Sequence, residues 1–127
     1  AMNGLQAVKP MAFVLTRDMA QSIKFYTEVL RLPHVSTDDF GTVLDLAGVQ
    51  LRVTTIPDHT ASPHPVLGWQ VADMDATVAD LNRRGVKFTI YPGFGQDERG
   101  VWTAPDGSAK VAWFSDPDGN VLSLTQC

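Results

Sequence analysis

The chain has 127 residues, enough for one domain with a real core and too few for two independent domains of ordinary size. Its composition, 44% hydrophobic and 19% charged, is that of a soluble globular protein, and no apolar run approaches the ~20 residues of a membrane span. The formal charge of −4 comes from 14 acidic and 10 basic residues scattered without a basic stripe, which argues against a nucleic-acid partner.

Cys127, the only cysteine, is the last residue, so there is no disulfide framework and no CxxC motif. Residues 1–10 carry one lysine and no sustained apolar stretch, which does not read as a secretory signal. A cytoplasmic setting is the default expectation, and Ala1 before Met2 reads as the remnant of a cleaved tag.

The first structured stretch, Met11 to Thr16, is rich in apolar and β-branched residues and predicts a strand. It runs into a helix start at Asp18, with Gln21 placed as in a capping box and Ile23, Tyr26 and Leu30 at helical spacing. Pro33 ends that helix. Two short β-like runs follow, Thr42 to Leu46 and Val49 to Thr55, around an Ala47-Gly48 hairpin turn.

After the Pro- and Thr-containing segment 58–65 the pattern starts again. Leu67 to Val71 leads into Asp73-Met74, and Val78 and Leu81 continue at helical spacing to Gly85, a plausible C′ glycine. Val86 to Tyr91 and Ser108 to Phe114 read as strands, and Asp116-Pro117-Asp118-Gly119 as the turn before a last strand, Val121 to Thr125.

The two halves superimpose in register: Asp18-Met19 with Asp73-Met74, Ile23 with Val78, Tyr26 with Leu81, and later Gly48 with Gly119 and Arg52 with Ser123. The second half is longer, and the surplus falls in the segment Pro92 to Gly107, with four glycines and two prolines. A loop of that length in so small a domain reads either as a lid or as a plain connection.

Duplicated halves, the Asp-Met-Ala-Gln-Ser-Ile-Lys-Phe-Tyr helix start at Asp18 to Tyr26, and the closing Phe-Ser-Asp-Pro-Asp-Gly-Asn-Val-Leu at Phe114 to Leu122 resemble the vicinal-oxygen-chelate superfamily. This is the family of glyoxalases, bleomycin-resistance proteins and extradiol dioxygenases. The resemblance covers about Met11 to Gln126. It implies an α+β fold of two tandem βαβββ modules, about 8–57 and 66–126 joined by a linker at 58–65, forming a half-open β-barrel with helices outside. It also implies a ligand cavity and, for many members, a homodimer.

Metal-dependent members of the family hold a divalent ion between side chains from equivalent positions of the two modules. By register those positions fall on Met11, Val66, Arg52 and Ser123. A thioether, an alkyl group, a guanidinium cation and a neutral hydroxyl form no such set, and their strand neighbours offer no ligands either. His34, His59 and His64 have no tight metal spacing. The expectation is therefore no cofactor, with a divalent metal as the alternative.

The family's face assignment directs Met11, Phe13, Leu15, Gln50, Arg52, Val66, Gln70, Val121 and Ser123 toward the cavity, a mostly apolar set with a few polar fixing points. Trp102, with Tyr91 and Phe94, would close over a planar ligand by stacking. Arg52 would favour an anion or serve a structural ion pair. Trp69 and Trp113 are expected in the core. The function expected is metal-free binding of a small aromatic or anionic molecule. The alternative is an enzyme of the superfamily, a lyase, isomerase or dioxygenase, with a non-standard metal site or metal-free acid-base chemistry.

Overall fold

A computed structural model describes residues 4–127; Ala1, read above as a tag remnant, lies outside the described residues. The strands are β1 (Met11–Thr16), β2 (His34–Asp38), β3 (Gly41–Leu46), β4 (Val49–Thr55), β5 (Pro65–Gln70), β6 (Trp102–Thr103), β7 (Lys110–Ser115) and β8 (Val121–Gln126). The helices are α1 (Met19–Lys24), which runs on as a π-helical turn over Phe25–Val29, and α2 (Met74–Arg83). They form two four-stranded sheets, ordered β1-β4-β3-β2 and β5-β8-β7-β6. In each, the first strand pairs parallel with the last and the other pairings are antiparallel. The fold is α+β, with the sheets not closed into a barrel.

Each helix starts where its aspartate stops the preceding strand. Asp18 and Asp73 sit in extended conformation and accept the backbone N–H groups of Gln21 and Ala76, satisfying donors the first turn would leave orphaned. The first start is only half a capping box, because the Asp18 N–H goes to the Thr16 hydroxyl rather than to Gln21. Gly85 follows α2 with φ of 92° while Val86 N–H reaches back to the Leu81 carbonyl, the bond pattern of a glycine-closed helix end.

Strand alternation then decides what is buried. Val14, Leu51 and Val53 in the first sheet, and Ala112, Phe114, Leu122 and Leu124 in the second, point to the helix side and merge with Tyr26, Met74, Val78 and Leu81 in one cluster. The opposite faces of both sheets are turned away from it, with Met11 and Phe13 left 48% and 59% exposed.

The two halves are tied together by the closing turn. Asp116 is buried; its Oδ2 accepts the Tyr26 hydroxyl at 2.7 Å and the Asn120 amide at 2.8 Å, and its Oδ1 accepts the N–H of Asp118 and Asn120. Asn120 passes the connection on, donating from Nδ2 to the Leu15 carbonyl and accepting at Oδ1 from His59 Nε2. Asp118 receives the Thr16 hydroxyl at 2.6 Å and the Arg17 N–H at 2.9 Å. Burial, then the negative charge of Asp116, push the Tyr26 phenol far above its ordinary range and keep it a donor.

One expectation is corrected. Val86 to Tyr91 is not a strand: Gly85 and the α2 end set its course, and its bond to the second sheet is from Thr89 N–H to the Trp113 carbonyl, the edge place being taken by the two-residue β6. The strand that completes the first βαβββ module is β2, directly after Pro33; its residues are all exposed, so it lacks the apolar alternation that marks strands in sequence.

Removing the Asp116 carboxylate strands the Tyr26 hydroxyl, the Asn120 amide and two backbone N–H groups, so Asp116→Ala is expected to cost about 3 kcal/mol or more in urea unfolding. A loss below about 1 kcal/mol would show that the clasp is dispensable. In the β3–β4 turn Ala47 carries φ of 51° beside Gly48 at 95°, a type I′ arrangement that costs a side chain with a Cβ. Ala47→Asn is expected to raise stability by about 0.5–1 kcal/mol in the same assay.

Candidate functional site

The outward faces of the two sheets carry the residues singled out from sequence, as two groups. On the first sheet Met11 lies opposite Gln50, and Phe13 opposite Arg52, which in turn faces Val43. On the second, Gly68, Ser123 and Trp113 form one cross-strand row, and Gln70, Thr125, Val111 and Trp102 the next. β1 and β5 are both edge strands, so within one chain the two groups belong to separate sheets.

Two members of the set behave differently. Val121 is buried, 8% exposed, and offers little surface. Val66 falls at a register irregularity between Pro65 and Leu67, so it stands outside the β5–β8 ladder and is 47% exposed.

Trp113 is the main correction. It alternates with Ala112 and Phe114, both in the core, so it lies on the outward face. Trp69 does pack on the helix side, stacked on Phe114 with ring centroids 6.4 Å apart. The signal was available in sequence, since the apolar Ala112-Trp113-Phe114 triplet has to put its middle member on the other side from its neighbours; what hid it was that all three are hydrophobic.

Trp113 anchors an aromatic cluster with residues from the long connection: Phe94 at 5.4 Å and Tyr91 at 5.7 Å, both nearly perpendicular to the indole, and Trp102 6.2 Å from Phe94. The connection is tied down at its base. Gln96 accepts the Tyr91 N–H and donates to the Thr89 and Gly100 carbonyls, and Asp97 Oδ1 accepts the N–H groups of Arg99 and Val101. Arg99 bridges Asp97 to Asp75 at the start of α2. Burial pushes the Asp97 carboxyl up, but the bonds from Val101 and Arg99 and the guanidinium outweigh it and hold it below the usual carboxylate range.

Arg52 is half-buried and its guanidinium meets Asp38 at 3.2 Å across the sheet. The Phe40 N–H, then those of Gly41 and the guanidinium itself, hold Asp38 below its ordinary value against the opposing effect of burial. The partner of Arg52 was not legible in sequence, because Asp38 lies on a strand that the pattern did not reveal.

The four positions aligned with the family's metal ligands do not fit a divalent ion: two are hydrophobic side chains on the open surface, one is a hydroxyl and one is a cation already paired to a carboxylate. The histidines are engaged elsewhere or lie in the linker: His34 with the Thr37 hydroxyl, His59 with Asn120, and His64 between β4 and β5. Among the described residues no three His, Cys, Asp or Glu side chains cluster as a metal site. No described helix is long and apolar enough to cross a membrane.

The sequence profile of the Glyoxalase/Bleomycin resistance protein/Dioxygenase superfamily matches residues 9–124, and the chain belongs to that superfamily. The YraH protein of Bacillus subtilis (strain 168) is 27% identical over 126 residues, covering 87% of this chain and 91% of that one. Among solved structures, the fosfomycin resistance protein FosX of Listeria monocytogenes superimposes with a TM-score of 0.73 at 11% identity, covering 93% of this chain and 91% of FosX. A glyoxalase/bleomycin resistance protein/dioxygenase from Alicyclobacillus acidocaldarius gives 0.72 at 19% identity, covering 98% and 94%. At these identities the structural likeness speaks for the fold alone.

Because Asp97 titrates lower in the folded chain than in the unfolded one, its support of the loop is complete above the ordinary aspartate range and is lost as pH falls through its depressed value. Hydrogen-exchange protection of the Val101 amide should therefore hold at neutral pH and drop selectively in acid, and should drop at neutral pH in Asp97→Asn. Equal protection at both pH values would contradict this assignment.

Proposed function

We propose that this protein binds a small aromatic, anionic molecule without a metal, in a cavity assembled between the outward sheet faces of two copies of the chain. The observation that carries the reading is the split of the site. One sheet offers Phe13 and Arg52, the other Trp113, Trp102, Ser123 and Gln70; Phe13 and Gln70 are exposed in the single chain, while the tryptophans are partly covered by Tyr91 and Phe94. Exposed apolar strand faces rimmed by polar groups are the kind of surface that proteins cover with a partner or a ligand.

A homodimer that sets the first sheet of one copy against the second sheet of the other would put a guanidinium across from an aromatic wall. Such a cavity holds a ring by stacking and a carboxylate or similar anion by charge-assisted hydrogen bonds. Asp38 fixes Arg52 in place for that role while using one of its terminal nitrogens.

Binding in this reading needs no reacting group. The superfamily hosts many chemistries, and the assignment rests on this chain's own side chains rather than on the fold. Neither Arg52 nor the loop acids Asp97 and Glu98 has a partner arrangement of the acid-base type: Arg52 is paired to Asp38, and Asp97 is consumed by backbone N–H groups and Arg99.

The test uses metal-stripped protein and 4-nitrobenzoate, a planar aromatic anion whose nitro group quenches tryptophan emission. Saturable quenching that is unchanged by added Zn, Ni, Mn or Fe(II), and weakened about tenfold or more in Arg52→Gln, is the expected result. Uptake of about one metal equivalent per chain that is required for binding would overturn the metal-free reading and point to an enzyme.

A further inference from the structure

Phe94 is neither core nor ordinary loop surface. Its ring leans on Trp113 at 83° and on Trp102 at 48°, yet it remains 49% exposed. A phenyl ring thus already rests against the outward face of the second sheet, contributed by the chain itself.

The segment that carries it turns on glycines at its tip and is tied down at its base. Gly93 and Gly95 flank Phe94 with φ of 79° and 83°, and at neither would a Cβ touch anything within 4 Å, so both glycines answer to backbone freedom and not to close packing. Behind this tip the bonds of Gln96 and Asp97 fix the base of the connection. At the tip itself the backbone tie is the Phe94 N–H to Tyr91 carbonyl turn bond.

We propose that Phe94 is an internal stand-in for the ligand: its ring fills an aromatic slot on Trp113 and Trp102 in the free protein and swings out on the Gly93–Gly95 pivot when a ligand's ring takes its place. The slot selects a single flat ring of about phenyl size carrying a small polar substituent. Ser123, directly opposite Trp113 across the β7–β8 ladder, supplies the hydroxyl for that substituent. Gly68, on the other side of Ser123, leaves room for this hydroxyl, since a Cβ there would come 2.6 Å from Oγ.

The exchange is energetically close. A ring of equal size recovers the aromatic contacts that Phe94 gives up and adds its own polar contact. Occupation by Phe94 therefore weakens binding without preventing it, and keeps the slot dry when no ligand is present.

This inference rests on the proposed binding reading and is separable from it. In Phe94→Ala the slot stands open: acrylamide should quench tryptophan emission more strongly than in the wild type, and 4-nitrobenzoate should bind about tenfold more tightly. Phe94→Leu, which keeps an apolar side chain on the tip, should fall between the two and serves if the alanine variant folds poorly. Unchanged or weaker binding in both variants, or no binding to a variant whose slot acrylamide shows to be open, would overturn the stand-in role. A persisting effect of Arg52→Gln in that case would leave the binding reading intact and remove only this device.

Discussion

The two carboxylate oxygens of Asp116 gather four donors, from Tyr26, Asn120 and two backbone N–H groups of the turn they close. One of those donors comes from α1 in the first half of the chain, and Asn120 in turn holds the β1 carbonyl of Leu15 and the linker histidine His59. A single buried carboxylate thereby fixes the position of the second half against the first. A buried anion is tolerated only when fully satisfied, and here the satisfaction is what ties the halves together. With the helices of both halves drawn into one core, each sheet has no choice but to turn its other face outward.

That outward orientation sets the functional problem. Arg52 with Phe13, and Trp113 with Trp102, are placed on outward faces of different sheets, which the single chain covers only in part. The long connection between α2 and β7 answers part of it by laying Tyr91 and Phe94 over Trp113, held from below by Gln96 and Asp97. In the proposed reading the rest of the cover comes from a second copy of the chain.

Much of this was legible from residues alone. Asp18 and Asp73 announced helix starts, Ala47-Gly48 a two-residue hairpin, and Asp116 to Asn120 the closing turn, because each depends on local chemistry within a few positions. The failures share one cause. β2 carries no apolar alternation, Val86 to Tyr91 carries it without pairing in a ladder, and Trp113 sits among hydrophobic neighbours, so in each case the deciding fact was which other strand lies alongside. The Arg52–Asp38 pair and the Tyr26–Asp116 bond were hidden for the same reason: the partners are set by topology and not by spacing.

The central claim is that one ligand site draws on two chains, and complementation tests it most directly. Arg52→Gln and Trp113→Leu each spoil a different wall, so homodimers of either variant should bind 4-nitrobenzoate poorly. After mixing and subunit exchange, half the dimers are hybrids with one intact site of two, and about a quarter of the wild-type binding capacity should return at wild-type affinity. If the mixture binds no better than its components although exchange has been demonstrated, the two walls belong to one chain and the account is wrong.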